Sequence, residues 1–178
     1  GYYKYINDSS FIDFFLINEL SKNVDGYRIS SYLYKEKITK GNRLNAGPVW
    51  DYDIAFGNAD YCGGQYQTGW SYTYNCTTAG YQVPFWWARL LNDPIYKNKL
   101  KCRYTQLRST IFSTAYINNF IDSVASYLQE SQDRNFQQWP ILGTYVWPNP
   151  SPIPTTYAGE ITKLKNWIST RLFWLDLN

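Results

Sequence analysis

Two aspartates one residue apart, Asp51 and Asp53, lie in the run Val49-Trp50-Asp51-Tyr52-Asp53-Ile54-Ala55-Phe56-Gly57-Asn58. Paired like charges on an apolar segment are costly unless a cation joins them. Magnesium, a hard ion, takes one or two carboxylates plus substrate phosphates. If Val49 to Ile54 form a strand, the spacing turns both carboxylates to one face. The competing reading is a pair of solvated acids at a strand end; the apolar neighbours argue instead for burial. A calcium loop of the EF-hand type fails, because glycine is required where Phe56 stands and glutamate where Cys62 stands. A nucleotide-sugar transferase holding a metal diphosphate on Asp-x-Asp is an open alternative, as is a non-catalytic surface module in which an aromatic-rich insertion binds glycan and the acids bind calcium.

A second polar motif, Asn23-Val24-Asp25 continuing to Ser30, favours phosphoryl transfer. In protein kinases a catalytic Asp is followed five residues later by a metal-binding Asn, and a later Asp holds metal on the phosphates. Here Asp25 opens such a window, Ser30 occupies the fifth position after it, and Asp51 is the later acid. Either activity is reduced by Ser30 at that position, or Asn23 substitutes for the missing Asn at the nucleotide.

The elements that must position these acids are legible in outline. Ser10, with Asp13 three residues on, caps a helix carrying Phe11, Ile12, Phe14, Phe15, Leu16, Ile17 and Leu20 and ending near Ser21. Lys22 to Gly26 reads as a polar turn and Arg28 to Lys35 as a strand. Lys40-Gly41-Asn42 is a turn, and Val49 to Ile54 a second strand. Residues 61–81, rich in Gly, Tyr and Thr, form an irregular insertion. Helices are expected at Phe85 to Leu91, from Pro94 behind an Asp93 cap to about Phe112, from Ser113 with Ile117, Phe120, Ile121, Val124 and Leu128, and after Thr156. The proline-rich segment 139–156 is extended. The fold class is therefore α+β, mainly helical with a short antiparallel strand pair, in one domain over residues 1–178.

Composition narrows the chemistry. There is no histidine among the 178 residues, which excludes a Ser-His-Asp group and a His-ligated zinc within this chain. A net charge of +3, with scattered cations, argues against a nucleic-acid partner. No apolar run is long enough to span a membrane. Aromatic residues make up 20% of the chain, and helical spacing assigns most of them to a core rather than to a stacking face. Cys62 and Cys76 bracket the Gly/Tyr-rich stretch and are expected to form a disulfide, whereas Cys102 reads as a buried free thiol. That disulfide and the Tyr-, Asn- and Trp-rich composition suggest a cell-surface or extracellular location.

The runs Phe14-Phe15-Leu16-Ile17-Asn18-Glu19-Leu20, Asn23-Val24-Asp25-Gly26-Tyr27-Arg28 and Tyr32-Leu33-Tyr34-Lys35 resemble the CotH family of spore-coat atypical kinases. Gly47-Pro48-Val49-Trp50-Asp51-Tyr52-Asp53 with Ala55-Phe56-Gly57-Asn58 is the most specific match. Pro84-Phe85-Trp86, Arg89-Leu90-Leu91, Arg103, Arg108 and the closing Trp167-Ile168, Arg171-Leu172 and Trp174-Leu175-Asp176 extend it along most of the chain. The resemblance implies the C-terminal lobe of a kinase-like fold that binds ATP with Mg and phosphorylates Ser or Thr of a protein substrate. It implies that Asp25 orients the acceptor hydroxyl and that Asp51 and Asp53 ligate the metal, with Ser30 as a weaker metal ligand. It further implies a missing N-terminal lobe that supplies the phosphate-contacting Lys, so that this chain alone is an inactive fragment.

Overall fold

A computed structural model of the chain describes residues 1–73 and 82–178. It is mainly helical with one two-stranded antiparallel sheet, as the α+β expectation holds. Helix α1 (Asp8–Ser21) is the axis of the fold, packing against strand β2 (Leu44–Val49) and helices α3 (Pro94–Arg108) and α6 (Tyr157–Leu177). Its apolar residues leave no polar stripe, so it is buried on almost every side. Phe11, Phe14 and Phe15 meet Trp87 at centroid distances of 5.6, 5.9 and 6.0 Å, and Tyr27 closes the ring cluster at 5.2 Å from Trp87. Each fully buried ring of this kind contributes about 1.5–3 kcal/mol from burial alone.

The helix begins three residues earlier than a Ser10 cap predicts. Asn7 is its N-cap residue, and Ser10 lies within the first turn. The Ser10 hydroxyl donates to the Asn7 carbonyl at 2.8 Å and accepts from the Ala46 amide at 3.2 Å, so it ties α1 to β2 instead of capping the helix.

Strand β1 (Ser31–Lys35) pairs with β2 (Leu44–Val49) around the turn at Gly41 and Asn42, both at positive φ. The second strand therefore ends where the sequence places its beginning. Asp51 adopts a left-handed backbone, φ 62°, which ends the extended run. The apolar residues that mimic a strand pack as a loop instead: Ala55 and Ala59 are buried, and Phe56 lies edge-on to Trp167, 6.3 Å away. Gly57 (φ 87°) sits so close to the Trp167 ring that any side chain there would overlap it.

The helices α2 (Trp86–Leu91), α3 (Pro94–Arg108), α4 (Thr114–Tyr127) and α6 (Tyr157–Leu177) follow their sequence signals. Asp93, Ser113 and Thr156 each cap a helix by accepting a backbone N–H. A further helix, α5 (Gln129–Gln138), follows α4 directly. The apolar stripe of α4 is only partly covered, with Phe120 and Val124 exposed, because α4 packs chiefly on α6 and α5 alone. Residues 139–156 contain neither helix nor strand. Leu20, Trp167, Ile168, Leu172 and Leu175 form a second core cluster between α1 and α6.

Cys102 is an exposed free thiol, not a buried one, because its position on α3 faces outward. Cys62 is disulfide-bonded; Cys76, its expected partner, lies outside the described residues.

Candidate functional site

The C-terminal end of α1 delivers the chain into a tight turn. Lys22 terminates the helix at φ 48°, and the Asp25 carbonyl accepts the amides of Arg28, Ile29 and Ser30, each at 3.0 Å. This winding brings Asn23, Asp25 and Ser30 to one place before β1 starts. Asn23 is buried, and both ends of its amide are bonded: Oδ1 accepts from the Asp25 amide at 3.1 Å, and Nδ2 donates to the Asp51 carbonyl at 3.0 Å. Asn23 thus joins the two aspartate segments, with one N–H of Nδ2 and one lone pair of Oδ1 used in doing so.

Asp51 is exposed, and its Oδ2 lies 3.5 Å from the buried Ser30 hydroxyl, which is oriented to donate to it. The Asp25 carboxylate is held through Oδ1 by the Arg28 guanidinium at 3.0 Å, with both side chains 19% exposed. Oδ2 of Asp25 has no hydrogen-bond donor among the described residues. Tyr52, between the aspartates, turns inward and donates to Asn18 Oδ1 at 3.2 Å, and burial pushes its phenol above the ordinary value.

Asp53 departs from the strand-based expectation. Without an extended backbone the period of two no longer sets their direction, and Asp53, like Asp51, is exposed rather than buried. Asp53 lines a cavity of about 400 Å³, floored by Phe56 and Trp167, which neither Asp25 nor Asp51 lines. Its own carbonyl accepts from Asn58 Nδ2 at 2.8 Å. Among the described residues no group of three or more His, Cys, Asp or Glu side chains could hold a metal ion. Asn23, Asp25, Ser30 and Asp51 are thus linked by hydrogen bonds, and Asp53 lines the neighbouring cavity.

Beneath this site lies a polar cluster that sequence reasoning did not assign. Glu19 Oε1 accepts from the Tyr27 hydroxyl and the Tyr72 amide, each at 2.8 Å; Oε2 accepts from the Ser71 amide at 2.8 Å and from Arg171 Nη2 at 3.3 Å. Burial draws the Glu19 carboxyl upward, against these hydrogen bonds and the Arg171 charge, which favour the ionised form. Arg171 also donates to the carbonyls of Glu19, Gln67 and Gly69. Lys22 donates to the carbonyls of Gly63, Tyr66 and Thr68, and burial lowers its ammonium to about 8. The visible signal was charge out of place: Glu19 within an apolar helix and Arg171 between Ile168 and Leu172.

The oxygen donors suit a hard ion: one exposed carboxylate with a hydroxyl beside it, leaving the remaining positions to water and phosphate. Comparison with curated proteins and with solved structures found no match. A family model described as CotH kinase protein matches residues 1–175. The chain therefore belongs to the CotH kinase family.

Proposed function

We propose that this chain carries the carboxylates of an atypical protein kinase, which transfers the γ-phosphate of ATP to Ser or Thr of a protein using Mg. The observation that carries this reading is the bridge through Asn23, whose two amide atoms hold the Asp25 and Asp51 segments together. Family membership supports a kinase-type enzyme in general. Asp51 and Ser30 would hold Mg, with Asp53 contributing through water. When bound, the metal neutralises charge on the phosphates.

The chain's own residues then divide the remaining work. Asp25 presents Oδ2 to an acceptor hydroxyl, while Arg28 fixes Oδ1 and so aims the carboxylate. Asn23 sets the separation of the two acids, and Ser30 orients Asp51. Phosphoryl transfer requires mainly positioning and charge neutralisation, so the lack of histidine is no obstacle. A phosphate-contacting cation and a cover that excludes water would come from a further lobe of a longer protein. The disulfide at Cys62 supports an oxidising, cell-surface or extracellular setting.

The test is phosphate incorporation by a version extended upstream, with magnesium and with a chelator. Asp51→Asn isolates the chemistry, because asparagine tolerates the left-handed backbone at that position. Labelling is expected to fall at least about 100-fold, to background, as one charge-stabilising group is lost. Undiminished labelling in Asp51→Asn would remove that residue from the mechanism.

A further inference from the structure

The hairpin beyond the carboxylates has a feature that catalysis does not use. Strand β1 has one neighbour, β2, and its outer edge is unpaired among the described residues. The direction of its backbone groups follows from the pairing. The Glu36 amide donates to the Arg43 carbonyl at 3.2 Å, so Glu36 and Arg43 form a hydrogen-bonded pair. Antiparallel ladders alternate, which makes Tyr34 and Asn45 the next bonded pair and leaves Lys35/Leu44 and Leu33/Ala46 non-bonded. The far side of β2 agrees: the Leu44 amide donates to the Tyr5 carbonyl, the Leu44 carbonyl accepts the Asn7 amide, and the Ala46 amide donates to Ser10. On β1, therefore, the N–H and C=O of Leu33 and Lys35 point outward from the open edge.

Both faces of β1 are also partly open, although Tyr32 packs edge-on against Trp50. Tyr32, Leu33 and Tyr34 are 49%, 46% and 47% exposed, and Ile38 at the tip is 82% exposed. Around that edge stand Lys35, Lys37, Lys40 and Arg43, all exposed, against the single acid Glu36. None of the four cations forms an ion pair among the described residues.

We propose that the outer edge of β1 accepts an extended, acid-rich segment of another protein as a third, hydrogen-bonded strand. Outward backbone groups at alternate residues supply the ladder, and flanking apolar side chains supply contacts on both faces. Cations on an open edge ordinarily discourage strand addition by other edges of like charge. Here they discriminate: a second copy would bring its own Lys35 and Lys37 to the same ribbon, whereas a strand bearing carboxylates is drawn to them. This inference does not depend on the kinase reading, since binding needs neither nucleotide nor metal.

The test is titration of the 178-residue chain with labelled synthetic peptides, without ATP. The probe alternates valine with glutamate. Three comparisons accompany it: the same peptide N-methylated at alternate residues, a version with lysine for glutamate, and a DNA duplex of similar charge. The glutamate peptide is expected to bind, and either peptide change to weaken binding about tenfold or more. The paired substitutions Lys35→Glu and Lys37→Glu, made at exposed positions and checked by an unchanged melting curve, are expected to reverse the charge preference. Absence of binding, or equal binding of the N-methylated peptide on both edges of its register, would overturn strand addition. Equal binding of the duplex would replace it with a general polyanion surface. Self-association of the chain that the peptide fails to displace would give the edge to a second copy.

Discussion

Asn23 shows how one buried amide can organise two segments 28 residues apart, and the deeper polar cluster extends the same logic. Arg171 has no contact with water, yet it faces Glu19, three carbonyls and the Trp174 ring, whose centroid is 4.7 Å from its guanidinium carbon. Removing one member of a buried pair leaves the other charge uncompensated. Arg171→Met is therefore expected to destabilise the chain by about 3–5 kcal/mol, measured by urea unfolding. Glu19→Gln should cost less, because the amide oxygen can still accept from Ser71 or Tyr72. Equal losses would show that charge, not hydrogen bonding, dominates there. The types of these residues were readable in the sequence; their partners were not, since Glu19 and Arg171 are 152 residues apart and no local period links them.

At the scale of elements, helices with their own punctuation were legible: Asp93-Pro94, Ser113 and Thr156 mark starts that the structure retains. The second strand was not. Its apolar run has strand-like chemistry, but the left-handed Asp51 redirects it against α6, a tertiary outcome that side-chain type does not announce. The same turn of backbone sets Asp53 at the rim of the cavity that Phe56 and Trp167 line. The contact between α3 and α6 offers a test with a defined sign. Arg108 and Tyr104 both hydrogen-bond Asp176, and the Arg108 bond chiefly holds that carboxyl below the ordinary 3.8. A carboxyl depressed in the folded state adds stability that is complete above its unfolded value and is lost as pH falls through the folded one. Asp176→Asn is thus expected to cost about 0.5–1 kcal/mol at neutral pH, an exposed-pair magnitude, and nothing at pH below the folded value. A difference between the two proteins that persists unchanged in acid would contradict this.

For the whole molecule, the segment from Gly63 to Tyr72 is a strap laid across two cores and pinned by cations from either side, Lys22 at the end of α1 and Arg171 on α6. Lys22→Met would leave three carbonyls without that donor. Amide exchange around residues 63–69 is expected to accelerate well before exchange in α1 does; uniform acceleration would mean instead that the strap and the cores open together. The Glu19–Arg171 pair has one more consequence, for synthesis. During synthesis Glu19 emerges 152 residues before its counter-charge, Arg171. Until α6 is released, the largely apolar helix α1 carries near its end a carboxylate without its Arg171 partner. Premature termination anywhere before Arg171 should therefore yield a product that quality-control proteases clear, whereas loss of the residues after Asp176 should be tolerated.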